Sequence, residues 1–194
     1  MNHLTRKLLV GALVVAVTAI GATPADAAKG GTDRPFSATG AGTNIIAEIP
    51  PPPPAPFPPG ACVPSFDDGR GLQFDCDQTI ELDFKGTHLG KSTYTAVGII
   101  VLYFEEGCLT PGGGFGITFE SSTAGTIVAA NGDALTADVA VSGCADGETA
   151  ALPSGTYTIT GGTGRFADAT GEGTVEAVAE GGALSNEWAG TISY

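Results

Sequence analysis

Apolar and polar side chains alternate along most of this chain with a period of two, and glycine-rich interruptions separate one alternating run from the next. Beyond the first twenty or so residues, no run repeats with the 3.6-residue period of an amphipathic helix. The clearest strand is expected over residues 79–85, where Ile80, Leu82 and Phe84 share one face and Glu81, Asp83 and Lys85 the other. Further strands are expected over 34–49, with a break at 40–42, and over 91–104, 114–121, 125–130, 134–142, 155–160, 173–179 and 183–194, about eight or nine in all.

Turn chemistry joins these runs in order. Asn131-Gly132-Asp133 and Gly181-Gly182 each stand between two alternating runs, and such residues tolerate the positive φ of a tight primed hairpin. Short connections between successive strands make an antiparallel meander, and closing it removes the edges that an open sheet would have to protect. The expected fold is therefore all-β, a closed antiparallel barrel of about eight strands. The inward-facing set is expected to be Ile80, Leu82, Phe84, Phe115, Ile117, Phe119, Tyr157, Ile159, Val175, Ala177, Trp188, Ile192 and Tyr194. A barrel of this size either fills its interior with side chains or leaves room for one small ligand. Ile80, Leu82, Phe84, Phe115, Ile117, Phe119, Tyr157, Ile159, Trp188 and Tyr194 are the candidates to line such a cavity, and an apolar molecule is the guest they suit.

Two segments depart from simple alternation. Residues 96–104 (AVGIIVLYF) are apolar on both faces, so their outer face needs cover, either from the proline-rich arm or from a second subunit of a homo-oligomer. The arm itself, residues 50–59, is proline at every position but Ala55 and Phe57, which blocks sheet pairing and favours an extended connection after the first strand.

The beginning of the chain sets the compartment. Arg6 and Lys7, the apolar run 8–20 and Ala25-Asp26-Ala27 form the three parts of a cleavable signal peptide over residues 1–27, leaving one domain over 28–194 with an insertion at 50–77. The apolar run is too short to span a bilayer, so a secreted protein with no membrane insertion after cleavage is expected. The formal net charge of −13 argues against nucleic acid or an anionic membrane surface as partner.

Cys62, Cys76, Cys108 and Cys144 all follow the signal segment, where thiols oxidise, and their even number reads as two disulfides. Of the three possible pairings, Cys62 with Cys76 closes a short loop around Gly69-Arg70-Gly71, and Cys108 with Cys144 joins two expected strand ends. No CxxC is present, and Asp67, Asp68, Asp75 and Asp77 lack the spacing of a hand-type calcium loop, so neither a metal nor a cofactor is expected. His88 is the one histidine after the signal segment and hence the weak candidate for a catalytic base. No GxSxG accompanies it. The carboxylates Glu105, Glu106, Glu120 and Asp138 are candidates for a barrel mouth, where desolvation raises a carboxyl pKa.

The most specific local signal is the run 158–175, TITGGTGRFADATGEGTV. Gly161, Gly162 and Gly164 permit a tight excursion at a strand end, Arg165 supplies an anchor and Phe166 a core plug. This segment resembles the GGTG-(K/R)-F turn of plant dirigent proteins and the related turn of allene oxide cyclases. GTHLGKST (86–93), ANGDAL (130–135) and the ending WAGTISY (188–194) resemble segments of bacterial secreted proteins with an allene-oxide-cyclase-like barrel. The resemblance covers residues 35–194 apart from 50–77, and implies an eight-stranded, calycin-like barrel with an apolar cavity. It transfers no catalytic residue, because the shared motif is a turn and fold alone does not establish chemistry. Three functions follow: a secreted barrel that binds a small apolar ligand or serves as a stable extracellular scaffold, a cyclase or isomerase acting on a hydrophobic substrate, and a cell-envelope interaction protein.

Overall fold

A computed structural model describes residues 31–49, 61–65, 70–110, 112–147 and 151–194. The expected signal peptide and the proline-rich residues 50–59 lie outside the described residues, as do Asp67 and Asp68. Nine strands follow in order: β1 (Arg34–Ile46), β2 (Val63–Ser65), β3 (Gln73–Gly86), β4 (Gly90–Leu109), β5 (Phe115–Ala129), β6 (Ala134–Ala145), β7 (Ser154–Gly162), β8 (Thr170–Glu180) and β9 (Ala183–Ser193). Successive strands from β3 to β9 pair antiparallel, β9 pairs with β1, and β1 pairs with β3, so eight strands close into a barrel. The extra strand, β2, lies along Gln73–Asp75 of β3, beyond the point where β1 leaves it. Closure satisfies the backbone groups that an open sheet would leave along its edges.

Alternation decides what faces inward. In β3, Ile80, Leu82 and Phe84 are buried, while Glu81, Asp83 and Lys85 are exposed. The same rule buries Tyr157 and Ile159 on β7, Val175 on β8, and Leu184, Trp188 and Ile192 on β9.

Two expected strand breaks are absent, for one physical reason. β1 runs unbroken through Gly40 and Gly42, and β5 runs unbroken through the expected gap at 122–124 and through Gly125. Gly40 and Gly125 make room for large neighbours. A Cβ on Gly40 would stand 2.7 Å from a ring carbon of Phe84, and one on Gly125 would stand 2.4 Å from the ring of Tyr94. Inward glycine beside an inward aromatic lets a narrow barrel hold large rings.

The turns also refine the reading. Gly181 and Gly182 both take positive φ, 57° and 84°, as a primed turn requires. In the β5–β6 turn only Gly132 does, at 87°. There the Asn131 side chain accepts from the Asp133 amide at 3.2 Å and donates to its carboxylate at 2.8 Å. Both expected disulfide pairings, Cys62–Cys76 and Cys108–Cys144, are present.

Phe115 corrects the inward set, for it is 84% exposed. Its parity along β5 matches that of Phe119, but it pairs only with Leu109, beyond Ile117, the last residue of β5 that β6 reaches. The β4–β5 hairpin projects past the rim, so no facing wall covers Phe115. On the outer face of β4, Val97 and Ile99 are exposed. The arm expected to cover them is not among the described residues.

Candidate functional site

The two ends of the barrel differ. One end gathers the β3–β4, β5–β6 and β7–β8 turns and is plugged. Phe166, in a 3-10 turn over Gly164–Phe166, is fully buried and meets Tyr194 edge-on at 4.9 Å between centroids. The GGTGRF segment builds this plug. Gly161 and Gly164 have positive φ, 145° and 59°, and Thr163 exchanges hydrogen bonds with Ala134, its backbone N–H reaching the carbonyl at 2.8 Å and its hydroxyl oxygen accepting at 3.0 Å. Gly162 lies so close to the Ala134 carbonyl that any side chain would collide with it. Arg165 donates to the carbonyl oxygen of His88 at 2.6 Å and lies 3.5 Å from the Asp133 carboxylate.

The other end is hollow. A cavity of about 280 Å³ lies between the end of β1, the first half of β3, the β8–β9 turn and the start of β7. Its walls include Ile80, Ile100, Phe119, Val139, Val141 and Val175. The floor is aromatic, since Tyr94 and Trp188 both line it and meet edge-on at 5.5 Å. Beneath them Tyr157 stacks on Trp188 at 4.7 Å and Phe84 meets Trp188 edge-on at 5.4 Å.

Of the residues expected to line a cavity, the structure brings Ile80, Phe119 and Trp188 to it. Leu82, Phe84, Tyr157 and Ile159 are buried in the core between the floor and the plug. Tyr194 is partly buried at the plugged end, Ile117 is partly buried outside the cavity, and Phe115 is outside the barrel.

His88 also stands apart from the cavity. It occupies the β3–β4 turn at the plugged end with φ 68°, its Nε2 lies 3.1 Å from the Pro35 carbonyl oxygen, and its ring meets Tyr194 at 5.9 Å. The carboxylates proposed for a mouth are outside as well. Asp138 is exposed, and Glu120 accepts from Arg70 at 3.0 Å and from the Tyr103 hydroxyl at 3.2 Å. Arg70, 4.3 Å from the Tyr103 ring centroid and 3.5 Å from Glu106, thereby clamps the loop before β3 to the outer wall.

Sequence reasoning missed a band of polar side chains across the cavity wall. The Ser121 hydroxyl donates to Gln78 Oε1 at 2.6 Å, and Gln78 Nε2 donates to Asn44 Oδ1 at 2.8 Å. Thr123 and Asn186 join the same wall. Gln78, Ser121, Thr123 and Asn186 are all buried, between 5% and 8% exposed. Parity was the available signal: Gln78 alternates with Ile80, Ser121 and Thr123 with Phe119, and Asn186 with Trp188. Their polarity suggested solvent, but their position in the alternation places them inside.

The ionisable groups at the cavity are few. Tyr94 is one, and burial pushes its phenol up to about 12, which keeps it neutral. Its hydroxyl stands near Thr123 without a well-formed hydrogen bond. Glu180 is the other, exposed at the rim beside Gly181. The class of molecule that fold and site define is a disulfide-bearing antiparallel β-barrel with a mainly apolar internal cavity. A scan against protein-family models finds no match to the chain, and a search of curated proteins finds none either.

Proposed function

We propose that this chain is an exported barrel that holds one small apolar molecule in its cavity. The cavity carries the reading. It is enclosed by the strands, walled mainly by aliphatic side chains and floored by Tyr94 and Trp188, so an apolar guest leaves water for a preformed apolar site. Two disulfides suit an oxidising compartment, which agrees with the signal peptide read from residues 1–27. The GGTGRF turn together with the closed eight-stranded barrel supports kinship with the allene oxide cyclase and dirigent barrels. Binding is favoured over cyclisation because the described wall offers a reacting substrate neither His88 nor an arginine, and its one carboxylate, Glu180, is at the rim.

Native mass spectrometry of the protein from its own culture medium tests the reading. A retained mass that disappears on denaturation, and that is missing from Ala177→Leu with its narrowed cavity, is the expected result. Parent and variant spectra both free of bound mass, together with no response of Trp188 fluorescence to apolar probes, would refute it.

A further inference from the structure

The chemistry of the cavity wall specifies more than apolarity. Asn44, Gln78, Ser121, Thr123 and Asn186 come from four strands, β1, β3, β5 and β9, yet all reach the same cavity. Three of them form one hydrogen-bonded chain, Ser121 to Gln78 to Asn44. That chain uses only part of what these groups offer. An amide carries two N–H donors and an accepting oxygen, so Asn44 Nδ2, the second N–H of Gln78 and the accepting side of Ser121 Oγ retain bonding capacity. Asn186 Oδ1 is buried with no hydrogen-bond partner in the protein. The wall is thus able both to donate and to accept, and the side chains that do so are uncharged.

Charge is excluded on two grounds. A buried ion needs a counter-charge or several strong hydrogen bonds, and within the described wall no lysine, arginine or histidine is there to meet an anion. Glu180 at the rim and the net charge of −13 oppose an anion further. A cation finds no carboxylate below the rim. A pure hydrocarbon, in turn, leaves the remaining bonding capacity of the amides unmet. Size narrows the class: at the ~30 Å³ that liquid water takes for each oxygen, the cavity holds about ten non-hydrogen atoms.

Building on the binding role given above, we infer that the guest is an electrically neutral molecule of about ten non-hydrogen atoms, apolar except for one oxygen group, a hydroxyl or a carbonyl, that bonds the Asn44–Gln78–Ser121 chain. Its hydrocarbon part lies against the aliphatic wall and the aromatic floor.

Three probes of similar length, 1-octanol, octanoate and octane, separate the possibilities. Trp188 is the sole tryptophan and lines the cavity, so its emission reports occupancy, with calorimetry as the second readout. At pH 7 the expected order is 1-octanol about tenfold tighter than octane and at least a hundredfold tighter than octanoate, reflecting one net hydrogen bond and one unpaired buried charge. Gln78→Leu, which removes the middle of the chain, is expected to lose the preference for 1-octanol over octane. Ser121→Ala serves where Gln78→Leu does not fold, with a smaller loss of preference. Equal binding of 1-octanol and octane, or octanoate as the tightest probe, overturns the inference and leaves an apolar binding site standing. No binding of any probe overturns the binding role and the inference together.

Discussion

Arg165 donates a hydrogen bond from Nη2 to the carbonyl oxygen of His88 at 2.6 Å, joining the turn after β7 to the turn between β3 and β4. The same guanidinium lies 3.5 Å from the Asp133 carboxylate and 4.6 Å from the Phe166 ring centroid. One side chain therefore ties together the three turns that plug this end of the barrel. Because the site is partly solvated, Arg165→Ala is expected to cost about 1–2 kcal/mol. Arg165→Lys should recover less than half of that, since a lysine lacks the planar fork. Urea unfolding of the three proteins checks this, and an alanine variant as stable as the parent would refute the tie.

His88 holds a left-handed backbone conformation, φ 68°, that a side chain makes costly. His88→Gly should be about 1 kcal/mol more stable than His88→Ala, because only glycine adopts that conformation freely. Neither change should alter ligand affinity, as the residue sits at the end opposite the cavity. A large loss of affinity in both would show that His88 acts on the guest.

Gly125 owes its place to the Tyr94 ring. Gly125→Ala is expected to destabilise the barrel by about 1–3 kcal/mol through overpacking. Replacing the ring as well, in Gly125→Ala with Tyr94→Leu, should cost less than the sum of the two single changes, since the collision is then gone. Additive costs in a double-mutant cycle would contradict the contact.

Tyr94 and Tyr157 link stability to alkaline pH. Burial raises both phenols from the ordinary 10.0 to about 12. The neutral form is thus favoured by the fold, and the contribution is fully present below pH 10. It is lost as the pH rises from 10 through 12, where the unfolded chain ionises first. For Tyr94, two units correspond to roughly 3 kcal/mol. Denaturation midpoints measured from pH 8 to 12 should stay level at first and then fall, with less of a fall in Tyr94→Phe. A midpoint indifferent to pH across that window would contradict the burial of both hydroxyls.

The two disulfides close loops of different length, with sequence separations of 14 and 36. On chain-entropy grounds the Cys62→Ser/Cys76→Ser pair should cost about 3 kcal/mol and the Cys108→Ser/Cys144→Ser pair about 4 kcal/mol. Thermal unfolding of each pair against the parent gives the comparison. Losing the Cys62–Cys76 bridge should also weaken ligand retention, because that cystine packs with Ile100 and Phe119, which line the cavity.

How much was legible can be read from particular residues. Thr79 to Lys85 announced both faces of a strand, because one wet face and one dry face impose period two on the sequence. The turn residues announced connections between neighbours in the meander, which are local facts. Gly40 was misread as part of a break, because a glycine that makes room for a ring and a glycine that makes a turn look the same until the ring across the barrel is known. Phe115 was misread for a related reason: alternation gives the side of the sheet but not whether an opposite wall extends that far.

The sequence by itself determined an all-β meander, its approximate strands and the residues of the plugging turn, since each depends on neighbours along the chain or on strand parity, whereas it favoured one of three disulfide pairings that the structure then fixed. Only the tertiary structure decided that one end is filled and the other hollow, and that Asn44, Gln78, Ser121 and Asn186 share one wall. Those outcomes depend on the register in which β1, β3, β5 and β9 meet around a closed circle, and pairing across a circle is a property of the whole barrel rather than of any one strand.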